Sequence, residues 1–399
     1  MKMSGKIFLW SVLIIFVLCP QSKKADAQVK TNSQVNVNVA KIDRQRILRA
    51  ANIYFNYKPV TITAFSSKRS AGGLHDYFSE GDYWWPDPKN PDGPYIRKDG
   101  LSNPQNFEKH RLALRNMSVQ VAALTAAYKI THEKKYADAA LRHLLAWFVN
   151  EKTMMNPNLE HAQAIKGVVT GRGIGIIDTI HLVEVAQSIY VLEKMGYLNP
   201  KDANAIKDWF TKYLYWLTTS KFGKDEMNNG NNHSTCWAMQ VAEFAKLVND
   251  TTEINSCRNF YKNVLLPTQM DSNGSFPKEL ARTKPYGYSI FNMDMMTMVC
   301  EILSDKNNDL WNYTTKDGRN IGSGIKFLYP YLADKSKWPY QKDVMYFDVW
   351  PVRQVSLLFC GIHFNENKYL TLWKKLNPDP KVEEAIRNFP IRQPVLWVN

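Results

Sequence analysis

Four short stretches combine residue types that do chemistry at close spacing. Residues 227–234 read Met-Asn-Asn-Gly-Asn-Asn-His-Ser, just before an apolar helix opening at Ser234-Thr235-Cys236-Trp237. Asn231, Asn232 and His233 thus bring amide donors and an imidazole to a helix N-terminus. Such a place suits an anionic group. The plainer reading is an Asn-rich turn that caps the helix. In the second stretch Arg282, Lys284, Tyr286 and Tyr288 fall within seven residues. An Arg close to a Tyr can hold a carboxylate and lower the phenol's pKa. The plainer reading is a surface turn with packed tyrosines.

The third stretch, Gly171-Arg172-Gly173-Ile174-Gly175-Ile176-Ile177-Asp178, superficially suggests a dinucleotide fingerprint. No strand clearly precedes it, so the spacing favours a packed helix start with Arg172 available for an anionic ligand. The fourth is Tyr83-Trp84-Trp85, whose rings suit either stacking on sugars or a core. Histidines 143, 161 and 181 stand alone. His181 and Glu184 could share a helix face, but no third ligand accompanies them. His233 lies three before Cys236 without a second ligand pair. No metal and no cofactor are expected.

These stretches must be held by helices. From Asp43 onward Ile47, Leu48, Ala51 and Tyr54 fall on one face. Residues 55–105 are aromatic and rich in Gly, Pro and Asp, and a loop this long is usually functional or disordered. Their aromatic density argues for order. Apolar periodicity then predicts helices over 107–131, 134–149, 175–194, 201–218 and 234–248, with shorter ones to Asn388. Residues 59–65 are one weak strand pattern. There is no internal repeat and no dividing linker. The expectation is one all-α domain over 28–399, whose antiparallel helix pairs close into an (α/α) toroid or pack as an irregular bundle.

Composition narrows the class. The 399 residues carry 51 Lys+Arg against 37 Asp+Glu, a net charge of +14. With 45% hydrophobic and 13% aromatic residues, disorder is excluded. Five Cys in this length exclude a disulfide-built miniprotein. A mean hydropathy of −0.38 argues against a polytopic membrane protein. The single apolar run, residues 7–19, follows Lys2 and Lys6 and precedes Ala25-Asp26-Ala27. It reads as a signal peptide over 1–27, cut after Ala27, so the destination is periplasmic or secreted. An uncleaved anchor and lipidation at Cys19 are the alternatives. Removing residues 1–27 takes away four Lys and one Asp and leaves +11. Of the remaining cysteines, Cys236, Cys300 and Cys360 sit in apolar helical contexts, so buried thiols are expected. One disulfide remains open to an exported chain. Nucleic acid, the generic partner of a basic protein, is not expected of an exported chain without a recognition motif.

Asn231-Asn232-His233-Ser234 opening a helix, followed by Glu279-Leu280-Ala281-Arg282 and Tyr288-x-x-Phe291, resembles the alginate lyases of polysaccharide lyase family 5. Tyr83-Trp84-Trp85-Pro86-Asp87-Pro88 and the Gly171–Asp178 block look closer to the sister family 38. The resemblance runs from about Tyr77 to Phe291. It implies an (α/α) toroid and β-elimination at a 4-linked uronate of alginate, mannuronate-containing above all, or of glucuronan. That chemistry needs the C5 carboxylate neutralised, the C5 proton removed and the departing O4 protonated. The resemblance assigns the first task to Asn232, Arg282 and His233. Tyr288 matches the family tyrosine. It would act as both base and acid when proton and leaving group share a face. His233 would be the base when they lie opposite. Tyr83, Trp84, Trp85, Arg172, Asn231 and Tyr286 would contact the sugar chain. Glu226 would orient His233 or a sugar hydroxyl. The partner would be an acidic polysaccharide, and the enzyme a monomer.

Two other classes remain open on the residues alone. A glycoside hydrolase needs two carboxyl groups with separated pKa values, with Asp76, Glu80, Asp82 and Asp178 as candidates. A non-catalytic polysaccharide-binding protein would use the aromatic loop and a basic groove.

Overall fold

The computed structural model describes Met1 and residues 37–398. The leader expected over 1–27 lies, Met1 apart, outside the described residues. Those from Val37 on belong to one compact unit.

Helices dominate: α1 (Val39–Tyr54), α2 (Lys109–Thr131), α3 (Lys134–Phe148), α4 (Leu182–Lys194), α5 (Pro200–Thr219), α6 (Lys221–Met227), α7 (Asn232–Val248), α8 (Thr251–Phe260), α9 (Leu266–Gln269), α10 (Pro277–Leu280), α11 (Pro285–Leu303), α12 (Ile321–Ala333), α13 (Val355–His363), α14 (Asn367–Lys375) and α15 (Glu383–Arg387). The fold is the expected all-α toroid. Their starts follow local chemistry. Asn199 accepts the Asp202 N–H and Pro200 occupies the first turn of α5. Asp250 accepts two amides at the head of α8. Each satisfies donors that a helix start leaves open.

Two central helices carry the core. In α7 nearly every residue is buried, and it packs against α11, α5, α8 and α4. Met293, Met295, Met296 and Met298 bury α11 almost all round. A helix that is apolar on every face belongs in the middle of a large core. Both helices point an N-terminus at the same region, and there the chemistry-bearing stretches meet.

The long segment between α1 and α2 is ordered by polar side chains. It forms β1 (Phe78–Glu80), β2 (Trp84–Trp85) and β3 (Ile96–Arg97). β1 runs parallel to β4 (His161–Ala164), and β2 pairs antiparallel with β3, Trp84 opposite Arg97. Asn106 Nδ2 donates to Gly81 O, Asn103 Nδ2 to Trp84 O, and Glu80 Oε2 accepts the Phe107 N–H. The weak strand expected over 59–65 is instead a 3-10 turn at Ile62–Ala64 with no strand partner among the described residues. The helix expected from Gly175 also differs. Gly173–Thr179 is a 3-10 stretch, and α4 begins only at Leu182. The glycines there serve contact: a Cβ on Gly175 would lie 2.4 Å from Ala162 Cβ.

Candidate active site

The N-terminus of α7 is built by its own side chains. Asn231 caps it, accepting the His233 N–H at 3.0 Å, while Gly230, at φ +80°, donates to Ser234 Oγ. This turn fixes the backbone, and buried carboxylates fix the side chains. His233 Nδ1 donates to Glu226 Oε1 at 2.7 Å. A carboxylate offers only acceptors, so in the neutral imidazole Nδ1 carries the hydrogen and Nε2 is the free base. Glu226 is fully buried and its Oε2 has no partner. Asn232 is held by Glu279, which accepts both its backbone N–H and its Nδ2–H at 2.7 Å.

The opposite wall comes from the head of α11. Pro285 occupies its first turn. Tyr288 Oη lies 2.7 Å from Tyr83 Oη and 3.4 Å from Arg282 Nη2, and the guanidinium sits 4.5 Å from its ring centre. Burial, and then Tyr83 beside it, push the Tyr288 phenol well above its ordinary value, with Arg282 opposing. The group is therefore a neutral O–H donor at rest. Arg282 is aimed by Asp99, which accepts from its Nη2 at 3.0 Å and its Nε at 3.3 Å. Burial raises the Asp99 carboxyl, but bonds from Arg282, Arg97 and Thr283 outweigh it and hold the acid below the usual range. Lys284 lies buried beneath both phenols, 5.1 Å from the Tyr83 ring and 5.3 Å from that of Tyr288, paired with Glu384 at 2.5 Å.

Between these walls lies a cavity of about 330 Å³. Of the residues singled out by sequence, Asn231, Asn232, His233, Arg282, Tyr288, Tyr83, Trp84 and Arg172 line it together. Arg172 donates from Nε and Nη2 to Gln163 O and Oε1, both at 3.0 Å, and lies 5.8 Å from the Trp84 ring centre. No carboxylate among the described residues pairs with it. Burial pulls its pKa down, as for a cation short of counter-charge.

Three residues expected to touch the sugar chain lie elsewhere. Tyr286 is wholly buried, donating to Tyr331 O and packing on Trp338 and Phe347. Two residues apart on a helix is about 200° of rotation, so Tyr286 and Tyr288 face opposite ways. Trp85 alternates with Trp84 along β2, donates to Leu101 O and stacks under Lys98 instead. Glu226 is shut behind His233, so of its two expected tasks only orienting the imidazole fits its place.

The carboxylates weighed for hydrolysis are spoken for. Asp82 lines the cavity, but although burial raises its pKa, Arg111 and Arg387 bring it down to about 2, which removes it as a proton donor. Asp178 accepts from Tyr77, Ser79 and Gln163 in the interior, and Glu80 is paired with Arg69. Asp76 is bonded by Asn156. Among the described residues no three His, Cys, Asp or Glu side chains are grouped to hold a metal ion. Cys236, Cys257, Cys300 and Cys360 are buried free thiols.

The sequence reading gave no site role to Arg97, Asn229, Gln163, Phe291, Arg387 and Asn388, which also line the cavity. Arg97 is the strand partner of Trp84, a pairing that the reading of 55–105 as a loop did not contain. The C-terminal pair carried no local signal, since only the tertiary fold brings α15 to the cleft.

The class of protein to which this cleft on an (α/α) toroid belongs follows from comparison with known sequences and structures. The family model described as alginate lyase matches residues 61–338. The chain belongs to the alginate lyase family and is a polysaccharide lyase. A crystal structure of an alginate lyase from Bacteroides ovatus is similar over 89% of this chain and 93% of that one, at 32% identity and a TM-score of 0.77. Alginate lyase A1-III from Sphingomonas species A1 shares the fold at 16% identity, over 79% of this chain and 85% of that one, with a TM-score of 0.51. A histidine-to-alanine variant of A1-III complexed with a tetrasaccharide matches with a TM-score of 0.54 at 16% identity, over 80% and 86%. No curated protein matches the chain.

Proposed function

We propose that the protein cleaves alginate, mannuronate-containing chains above all, by β-elimination at C4–C5 of a uronate. The observation that carries the reading is the convergence of Asn232, His233, Arg282 and Tyr288 on one cavity. A carboxylate resists carbanion formation beside it while charged. Arg282 and the Asn232 amide, with His233, would take up that charge. Tyr288, a neutral phenol, would deliver its proton to the departing O4. Where the C5 proton leaves from the same face, Tyr288 would relay it, its Oη taking the C5 proton as its own O–H proton passes to O4, so that the phenol ends neutral as it began. Where it leaves from the opposite face, as in guluronate or glucuronate, His233 Nε2 would take it, backed by Glu226. Arg172 and Trp84 would grip a neighbouring sugar by charge and ring face. Glucuronan is the alternative substrate of the same machinery. Export to the periplasm or beyond, on the pattern of residues 1–27, would bring the enzyme to its polymer.

The test is cleavage in oxygen-labelled water. Elimination puts no solvent oxygen into the new ends and leaves an unsaturated sugar at one of them. Hydrolysis incorporates one labelled oxygen per cut. One label per cut with no unsaturated sugar formed, at times too short for the reducing-end hemiacetal to exchange its oxygen with solvent, would overturn the reading.

A further inference from the structure

Glu279 takes no part in the reaction as described, yet it holds one of the residues that does. It sits on the short turn α10, three residues before Arg282, whose backbone N–H donates to its carbonyl at 3.1 Å. Its side chain points the other way and is 1% exposed. Burial raises its carboxyl pKa, and the two Asn232 bonds oppose the rise.

A negative charge at this place is paradoxical by Coulomb's law. It stands behind a group whose proposed task is to take up another negative charge. Its benefit must therefore be geometric. A side-chain amide has two ends of nearly equal size, and only its partners decide which end lies where. We propose that Glu279 is the positioning residue of Asn232: its acceptor-only oxygens hold the nitrogen end in place, so that the second Nδ2 hydrogen serves the substrate carboxylate. This rests on the reading of Asn232 as a carboxylate-binding group. The same turn carries Arg282, so one short segment sets both groups that meet that carboxylate.

The Glu279→Gln variant keeps volume but leaves one acceptor for two donors and sets its NH2 against the other. Asn232 then turns its amide over to offer Oδ1 to the glutamine, and lone pairs meet the substrate. Misplacement of this kind costs about 100-fold in rate, and the loss is expected in kcat with little change in KM. Glu279→Asp keeps the acceptors one methylene short and retains more activity than Gln. The loss also depends on Asn232: in an Asn232→Ala background, Glu279→Gln costs nothing further. Wild-type kcat in Glu279→Gln, losses that multiply in the double variant, or an Asp variant slower than Gln would each overturn the proposal. A substrate-free measurement separates it from the reading it rests on. In a protein with 15N-labelled asparagine, the side-chain resonance that Asn232→Ala removes shifts in Glu279→Gln. An unmoved resonance overturns the positioning role whatever the enzyme cleaves, whereas an inactive wild type with a shifted resonance overturns only the lyase reading.

Discussion

Replacing Glu226 by Gln isolates one charge. The carboxylate is fully buried, 2.7 Å from His233 Nδ1, and its second oxygen has no partner. The amide fits the same volume and can turn its oxygen to Nδ1, so the tautomer survives and only the charge goes. That charge matters when the imidazole becomes imidazolium on taking the C5 proton. At 2.7 Å and an effective dielectric of about 20, the attraction is about 6 kcal/mol. A neutral hydrogen bond is roughly half as strong as a charge-assisted one, so about 3 kcal/mol is lost. At about 1.4 kcal/mol per tenfold, kcat falls on the order of 100-fold. The fall applies where His233 is the base, on polyguluronate or glucuronan. On polymannuronate, where Tyr288 would do both jobs, the loss is smaller. Initial rates of the two proteins on each polymer, with circular dichroism to confirm the fold, decide it. A loss of less than about threefold on every polymer, against the roughly 100-fold expected, would refute the reasoning.

Other consequences are equally direct. Tyr288→Phe removes the acid and lowers kcat by at least about 100-fold. Because burial raises the wild-type phenol, it stays protonated, so the pH–rate profile shows no alkaline fall from this group below about pH 10. Arg172→Ala raises KM on long polyuronates about tenfold with kcat nearly unchanged, and the gap from wild type narrows as salt screens the contact. Asp294, buried at the junction of α11 and α13, has its carboxyl raised from 3.8 to about 7 by burial, against bonds from Ser356. Its protonated form is favoured by folding, so that stability is full below pH 3.8 and is lost as pH rises toward 7. Asp294→Asn therefore raises the melting temperature at pH 8 and leaves it nearly unchanged at pH 4.

The sequence displayed the candidate catalytic stretches more clearly than their surroundings. Asn231 to Ser234 was legible because a cap, a donor pair and an imidazole share one helix start, a local matter. Tyr288 was favoured over Tyr286 in the string only by its match to Tyr-x-x-Phe. They separate once Pro285 is known to open a helix, for helical rotation sends one to the core and the other to the cleft. Trp84 and Trp85 separate in the same way on a strand. Glu279 stood in plain view next to Arg282, but its bonds to Asn232 cross 47 residues and leave no local trace. Arg387 reaches Asp82 across 305 residues, and such convergence is a property of the toroid. The strand reading of 59–65 failed because its β-branched residues have no pairing partner among the described residues. The helix expected from Gly175 began late because close packing on Ala162 imposes a tighter turn.

Ultraviolet absorbance during incubation of the purified protein with polymannuronate, polyguluronate and glucuronan tests the central claim most directly. β-Elimination creates a double bond conjugated with the uronate carboxylate, so absorbance rises in step with chain cleavage on at least one of the three. Cleavage without that rise, or binding without cleavage on all three, would contradict the account.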